Sequence, residues 1–479
     1  MNPSQLPASA DSNPMQKLGL PMLLAFYFFL ESRVLDFTFP ALHIPLILSL
    51  LSLAFALMSG RLLDFVRTPL GRAQVLFFLW VPFVVPFSIF KTGCLPTVEV
   101  VARTFLLFIA TSALIATARD VRWFLMAIAL GVFVAACLSL VLGHDVEGDR
   151  LGLAWGRFGD PNDYAAMLLA GLPMWGVTLA RGNIVLRALS VVPVALILIV
   201  FAQTGSRGGM LAFAALCLAL FLSLGTSRKF IMLIASLAFF VLALGVMPSS
   251  IRLRYTTMFS MNEEEASDEL IDEEGRNMIT GAAMSAQGRW QIMVLSLKTT
   301  IQHPLFGVGP GNFPLHMFDE GVKEGKKIRG MQTHNTFTQV SSETGIPGAI
   351  LFAAVMWLAL KQTMRLRREW GGRKGEPAES IWVAASCLRL SLIATLAGAM
   401  FLSMAWHNTL YSTIAAVVAL QLVAARESAR LAHAGALDDG MGHGSPAGNG
   451  ARGPEKNQQK PLLPRRLRPR LRPLSSGRI

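Results

Sequence analysis

Four short stretches set an isolated cationic side chain among small polar residues: Gly205-Ser206-Arg207-Gly208-Gly209, Gly288-Arg289-Trp290, His334-Asn335 and Trp406-His407-Asn408. Glycines beside Arg207 let a ligand approach the backbone and expose its N–H groups. A helix starting near 209 would add N-terminal N–H donors, so guanidinium and backbone together read as a phosphate site. An interfacial arginine snorkelling from a tight turn would look the same. Arg289 heads an amphipathic stretch, where contact with a lipid headgroup is the competing reading. Two such arginines on one face suit a diphosphate better than one would. His334 has the residue type for general-base work near neutral pH. In helical register it shares a face with Thr338, Ser341 or Ser342, and Gly345, with Glu343 close by. Such a polar stripe in a membrane helix is costly unless it lines a cavity. A histidine capping the helix is the plainer alternative.

A further loop holds Arg150, Arg157 and Gly159-Asp160-Pro161-Asn162-Asp163. Asp160 and Asp163 could ligate a divalent cation, but an Asx-type turn capping the helix at 163 explains them more simply. His407, beside an interfacial Trp, is a weaker echo of His334. Arg103 lies near one end of an apolar run, and Arg389 lies deeper in another with no partner evident from sequence.

The elements that must position these residues are membrane helices. The chain has 479 residues, 53% hydrophobic and 15% charged, with mean hydropathy +0.49. Apolar runs of about 17–25 residues recur about twelve times, and the alternation of a membrane barrel is absent. The expected spans are 19–33, 41–59, 73–90, 99–118, 123–142, 163–180, 187–203, 209–225, 229–247, 336–360, 381–402 and 408–424. Residues 1–16 are polar and carry no cleavable signal, so the first run is expected to stay as an anchor. With segment 1–18 in the cytoplasm, Arg and Lys concentrate in the inside loops at nearly every turn of the chain. The four cationic stretches then share the outer face. The expected organisation is an all-α, polytopic membrane bundle: 1–18 cytoplasmic, 19–247 the first nine helices, 248–335 a long periplasmic loop, 336–424 the last three helices, and 425–479 a basic, disordered cytoplasmic tail. Within the long loop, 262–275 is acidic, 283–302 reads as a helix presenting Trp290, Met293, Val294 and Leu297, and 304–313 is a Gly/Pro turn region. Seven of the thirteen excess positive charges lie in the tail, which points to anionic membrane lipid and away from nucleic acid. Cys94, Cys137, Cys217 and Cys387 are scattered without metal or disulfide spacing.

Thr204-Gly205-Ser206-Arg207-Gly208-Gly209 resembles a TGSRGG-type motif of the O-antigen ligase/polymerase superfamily. Gly288-Arg289-Trp290 followed by His303-Pro304-Leu305-Phe306-Gly307-Val308-Gly309-Pro310-Gly311-Asn312-Phe313 resembles a second, and Thr333-His334-Asn335 with Glu343-Thr344-Gly345-Ile346-Pro347-Gly348 a third. Phe158-Gly159-Asp160-Pro161-Asn162 is similar to an upstream element. The likeness is strongest over about 155–360. The acidic 262–275 insert and the basic tail have no counterpart in it. The resemblance implies a GT-C-like helical fold in the bacterial inner membrane, with both termini cytoplasmic. It implies a metal-independent transferase with no cofactor, moving an oligosaccharide from an undecaprenyl-diphosphate-linked donor to a glycan, lipid or protein hydroxyl. Mapped here, Arg207 and Arg289 would hold the diphosphate and His334 would activate the acceptor. Arg150, Arg157, Asn335, Glu343 and His407 are the expected substrate-binding residues. An anion transporter is the main alternative, but no internal repeat supports it. A non-catalytic scaffold gives no reason for the polar stripe.

Overall fold

The computed structural model describes residues 13–146, 150–153, 156–256, 273–323, 325 and 330–441, and these are almost wholly helical. The chain is a multi-pass membrane protein. Each expected span falls chiefly on a helix, yet among the described residues only eight helices are long and apolar enough to cross a membrane. Two of the others, Ile44–Met58 and Arg207–Ser223, have 15 and 17 residues. At about 1.5 Å per residue they fall short of a core about 30 Å thick. One small antiparallel ribbon interrupts the helices, pairing His144–Val146 with Arg150–Gly152.

Four helices begin at the same end of the bundle: Pro161–Gly171, Arg207–Ser223, Thr336–Trp370 and Asn408–Met441. Three start on a side-chain cap, as their sequences dictate. Asp160 accepts from Asn162 N, Ser206 from Gly209 N, and Asn335 from both Phe337 N and Thr338 N. The cap at Asp160 matches the Asx-type reading of that loop. Partial positive charge from four helix N-termini therefore accumulates at one end.

The Thr336–Trp370 helix is broken at Gly345, which sits at φ +74°, ψ 179°. Such a break frees backbone carbonyls inside the bundle, and they need new partners. The Gly/Pro turn supplies them. Val308 N donates to Ser342 O (2.9 Å), Gly309 N to Glu343 O (3.0 Å), and Ile346 N to Pro304 O (2.7 Å). Trp80 Nε1 donates to Thr344 O at 2.9 Å. Glu343 is fully buried there, and one carboxylate oxygen accepts from Gly311 N (2.7 Å) and Trp406 Nε1 (2.8 Å). Trp406 in turn stacks on Phe77 with ring centres 6.2 Å apart. One carboxylate thus ties together the turn, the broken helix and the last helix connection.

The loop helix is longer than expected, running Glu273–Gln302, and its large apolar side chains face outward. Trp290 is 63% exposed, and Val294 and Leu297 also face outward, while Ile292, Ser296 and Thr299 are buried. Each buried hydroxyl bonds a carbonyl of its own helix, so small polar side chains pack without an unmet demand. Thr300 Oγ1 also meets Ser341 Oγ at 2.9 Å. The stripe Thr338–Ser341 therefore packs against this helix instead of lining open space. At the far end, the Asn408–Met441 helix continues past 424, so residues 425–441, expected to be disordered, are helical. Residues 262–272 of the acidic insert and 442–479 of the tail lie outside the described residues.

A Cβ at Gly345 would fall 2.4 Å from Leu305 O, on a backbone conformation that L residues avoid. Gly345→Ala is expected to cost about 1–3 kcal/mol from the strained dihedral alone, seen as a melting temperature several degrees below wild type in detergent. An unchanged melt would show that the break does not need its glycine.

Candidate active site

His334 lies outside the helix, one residue before the Asn335 cap, so the helical register expected for it with Thr338 does not apply. Its backbone is left-handed, with φ +52°, a conformation costing an L residue roughly 1–2 kcal/mol. The surrounding bonds hold it there. His334 N donates to Ser403 Oγ (2.9 Å), and Ser403 Oγ also meets Thr333 Oγ1 (3.2 Å). Asn335 Nδ2 donates to Met400 O (3.0 Å). Thr336 Oγ1 donates to Leu402 O (2.7 Å) and accepts from Met404 N (2.9 Å). Residues 333–336 are thereby stitched to the 400–404 turn. The His334 side chain is left half-buried at the resulting corner.

This stitching accounts for two expected substrate ligands. Asn335 is 6% exposed, and its side-chain oxygen is spent on two backbone N–H groups. Glu343 is 0% exposed and braces the helix break. Both position His334 and its helix; in this conformation neither is open to a substrate.

Arg289 and Asp160 are the charged neighbours of His334. Burial pushes the imidazole below its ordinary range, the Arg289 guanidinium pushes it further down, and Asp160 opposes both. Arg289 is itself lowered by burial and held up by Asp160. These influences together favour the neutral imidazole, with a ring nitrogen able to accept a proton.

Asp160 also leads to Arg207. Its Oδ1 accepts from Asn162 N (2.7 Å) and Asn162 Nδ2 (3.0 Å). Asn162 Oδ1 accepts from Ser206 Oγ (2.9 Å) and from an Arg150 terminal nitrogen (2.9 Å). Arg150 Nε donates to Thr204 O (3.0 Å), so this buried arginine locks the turn preceding Arg207. Arg207 is the first residue of its helix, directly after the Ser206 cap. The glycines that follow permit close packing. A Cβ on Gly208 would lie 2.8 Å from Phe401 Cβ, and one on Gly209 would lie 3.1 Å from Ala165 Cβ. The Arg207 turn is thus seated against the segment that holds His334 and against the helix that Asp160 caps.

His407 Nε2 lies 3.9 Å from Asp163 Oδ2, one turn into that capped helix. Arg157 lies in the short turn Gly156–Gly159. Asp160 and Asp163 serve as helix cap and histidine partner. Arg103 pairs with Glu99, and Arg389 bonds Ser223 on a neighbouring helix. Ser403 carries no motif-level signal in the sequence, and Asn162 lay in a recognised stretch without a role assigned to it. Asp160 was readable as a cap, but its place near both His334 and Arg289 was not.

Residues 192–353 match the family model described as O-antigen ligase. Over those residues the chain carries an O-antigen ligase domain, which supports an assignment to the O-antigen ligase/polymerase superfamily. The matched stretch covers about a third of the chain and includes Arg207, Arg289, His334 and the Gly345 break. Arg150, Asp160 and His407, contributed by segments on either side of it, complete the corner. No curated protein matches the chain.

Because Arg289 depresses the His334 imidazole and Asp160 raises it, removing either moves the imidazole in a known direction. For any reaction needing neutral His334, the acid limb of the pH–rate profile is expected to shift to higher pH in Arg289→Gln and to lower pH in Asp160→Asn. Matching limbs in both variants and wild type would show that His334 is not the titrating base.

Proposed function

We propose that this protein is a glycosyltransferase that takes an oligosaccharide from undecaprenyl diphosphate and joins it to an acceptor hydroxyl on the periplasmic side of the inner membrane. The observation that carries the proposal is the shared electrostatic neighbourhood of His334, Arg289 and Asp160, bonded through Asn162 to the turn that carries Arg207.

The chemistry follows from those residue types. The acceptor oxygen attacks the anomeric carbon, and the bond from that carbon to the diphosphate oxygen breaks. The electron pair leaves with the lipid diphosphate, whose negative charge grows in the transition state. The guanidinium groups of Arg207 and Arg289, beside the N-termini of four helices, stabilise that charge without reorganising. In this reading they fill the role of a divalent cation, so the reaction is metal-independent. His334 accepts the proton released by the attacking hydroxyl. Its strained backbone is the stored cost of aiming the ring from a corner instead of from a helix face. Asp160 favours the imidazolium that forms once the proton has moved. Arg150 and Asn162 keep the Arg207 turn in place. The lipid tail of the donor is the reason for building this site at the end of a membrane bundle. The exposed Trp290, Val294 and Leu297 face of the loop helix would lie along the bilayer beside it. The acceptor, a second lipid-linked glycan, a lipid or a protein, is chosen by contacts beyond this corner.

With purified protein and a defined undecaprenyl-diphosphate oligosaccharide, His334→Ala is expected to lower turnover about 10²–10⁴-fold while melting as wild type. Arg207→Lys is expected to lose about 10²-fold, because an ammonium cannot reproduce the planar fork. Activity is expected to survive EDTA. Wild-type product levels from the histidine variant, or strict dependence on a divalent metal, would remove this mechanism.

A further inference from the structure

The end of the bundle opposite His334 holds a cavity of about 380 Å³ whose lining includes five arginines. Its distance from His334 follows from the Asn408–Met441 helix, which starts beside the His334 corner and reaches the cavity at Arg426, 18 residues on. At about 1.5 Å per residue that is roughly 27 Å. The volume is in the range of small-ligand sites, about 300–1,000 Å³.

Arg61, Arg119, Arg122, Arg426 and Arg430 line the cavity, with Glu376 and Glu427 the two carboxylates among the lining residues. Three of the guanidinium groups have partners. Arg122 pairs with Glu376 at 3.2 Å, Arg426 with Asp64 at 3.0 Å, and Arg430 with Glu427 at 3.9 Å. Arg61 and Arg119 have no carboxylate partner among the described residues, which leaves two positive charges on the cavity uncompensated. A polar group on the wall also lacks a partner. Ser380 is 2% exposed, and its hydroxyl makes no hydrogen bond among the described residues. Two further features favour an anion. The N-terminal turns of Ala118–Leu142 and Glu376–Ala399 both contribute to the lining. Outward-facing Trp123 and Trp382 lie within about two turns of those helix starts. Exposed tryptophans of this kind mark the level of lipid headgroups.

We propose that this cavity binds the phosphate headgroup of an anionic glycerophospholipid from the leaflet opposite the His334 site. The two unpaired arginines meet the phosphate charge, and Ser380 donates to a phosphate or glycerol oxygen. The bound lipid would fasten the Ala118–Leu142, Glu376–Ala399 and Asn408–Met441 helices together at this end of the bundle.

The test uses the full-length chain in neutral detergent, supplied with phosphatidylglycerol, phosphatidylcholine or inorganic phosphate, and native mass spectrometry to count retained adducts. Phosphatidylglycerol is expected to be retained at least tenfold better than phosphatidylcholine, and excess inorganic phosphate is expected not to displace it. The Arg61→Gln/Arg119→Gln variant breaks no ion pair, and it is expected to lose the preference roughly tenfold or more. Should that variant melt early, Arg119→Gln alone, at an exposed side chain, carries the comparison with a smaller loss. Equal retention of the two lipids, or a preference surviving both variants, overturns the proposal. Displacement by inorganic phosphate would also overturn it, in favour of a soluble phosphate ligand.

Discussion

The structure depends on how a membrane helix is allowed to break. At Gly345 the Thr336–Trp370 helix abandons its hydrogen-bond ladder inside the bundle, where water cannot replace the lost partners. The backbone of 304–309 and the Trp80 indole take their place, donating to three consecutive carbonyls and accepting from Ile346 N. That exchange needs two chains to approach within hydrogen-bond distance. A Cβ at Gly307 would lie 2.4 Å from the Glu343 carbonyl carbon, and one at Gly345 would lie as close to Leu305 O. Glycine at both positions is therefore a requirement of backbone packing. The consequence is a rigid seat for the first turn of the helix, and so for the residue preceding it.

On that seat, local strain and long-range charge act together on His334. A left-handed non-glycine residue persists only where its surroundings overdetermine it. Here Ser403, Asn335 and Thr336 each tie the segment to the 400–404 turn. The ring is half-buried near a guanidinium and a carboxylate whose effects on it oppose each other. This suits a group that must be neutral before proton transfer and cationic after it. The two ends of the bundle also divide their positive charge differently. Near His334 it comes from a few singly placed side chains and four helix starts. At the far end it comes from a cluster of arginines, most of them paired.

Several features were legible in advance. Long apolar runs predict membrane helices because lipid offers no partner to an open backbone. The Asp160 loop predicts a helix start because its short polar side chain reaches first-turn N–H groups, whereas the caps at Ser206 and Asn335 emerge from the structure. Arg207, Arg289 and His334 stood out as isolated cationic residues in glycine- and asparagine-rich settings. The loop helix was placed, with its apolar face against either the membrane surface or the bundle. The structure turns Trp290, Val294 and Leu297 outward and packs Ser296 and Thr299 inside. Asn335 and Glu343 were expected to meet substrate because polar groups in apolar surroundings are costly. Their cost is met by backbone donors instead, and that assignment depends on a turn distant in sequence.

The amino-acid sequence alone determined which segments are helical, where several of them start, and which side chains are able to hold a diphosphate or take a proton. These are properties of a residue and its immediate neighbours. Only the tertiary structure decided that Asp160 stands near both His334 and Arg289, that Ser403 holds His334 by its backbone, and that Glu343 braces a helix break against Gly311 and Trp406. Each of those contacts joins positions from about 30 to nearly 180 residues apart, and nothing in local propensity specifies which distant carbonyl or charge a side chain will meet.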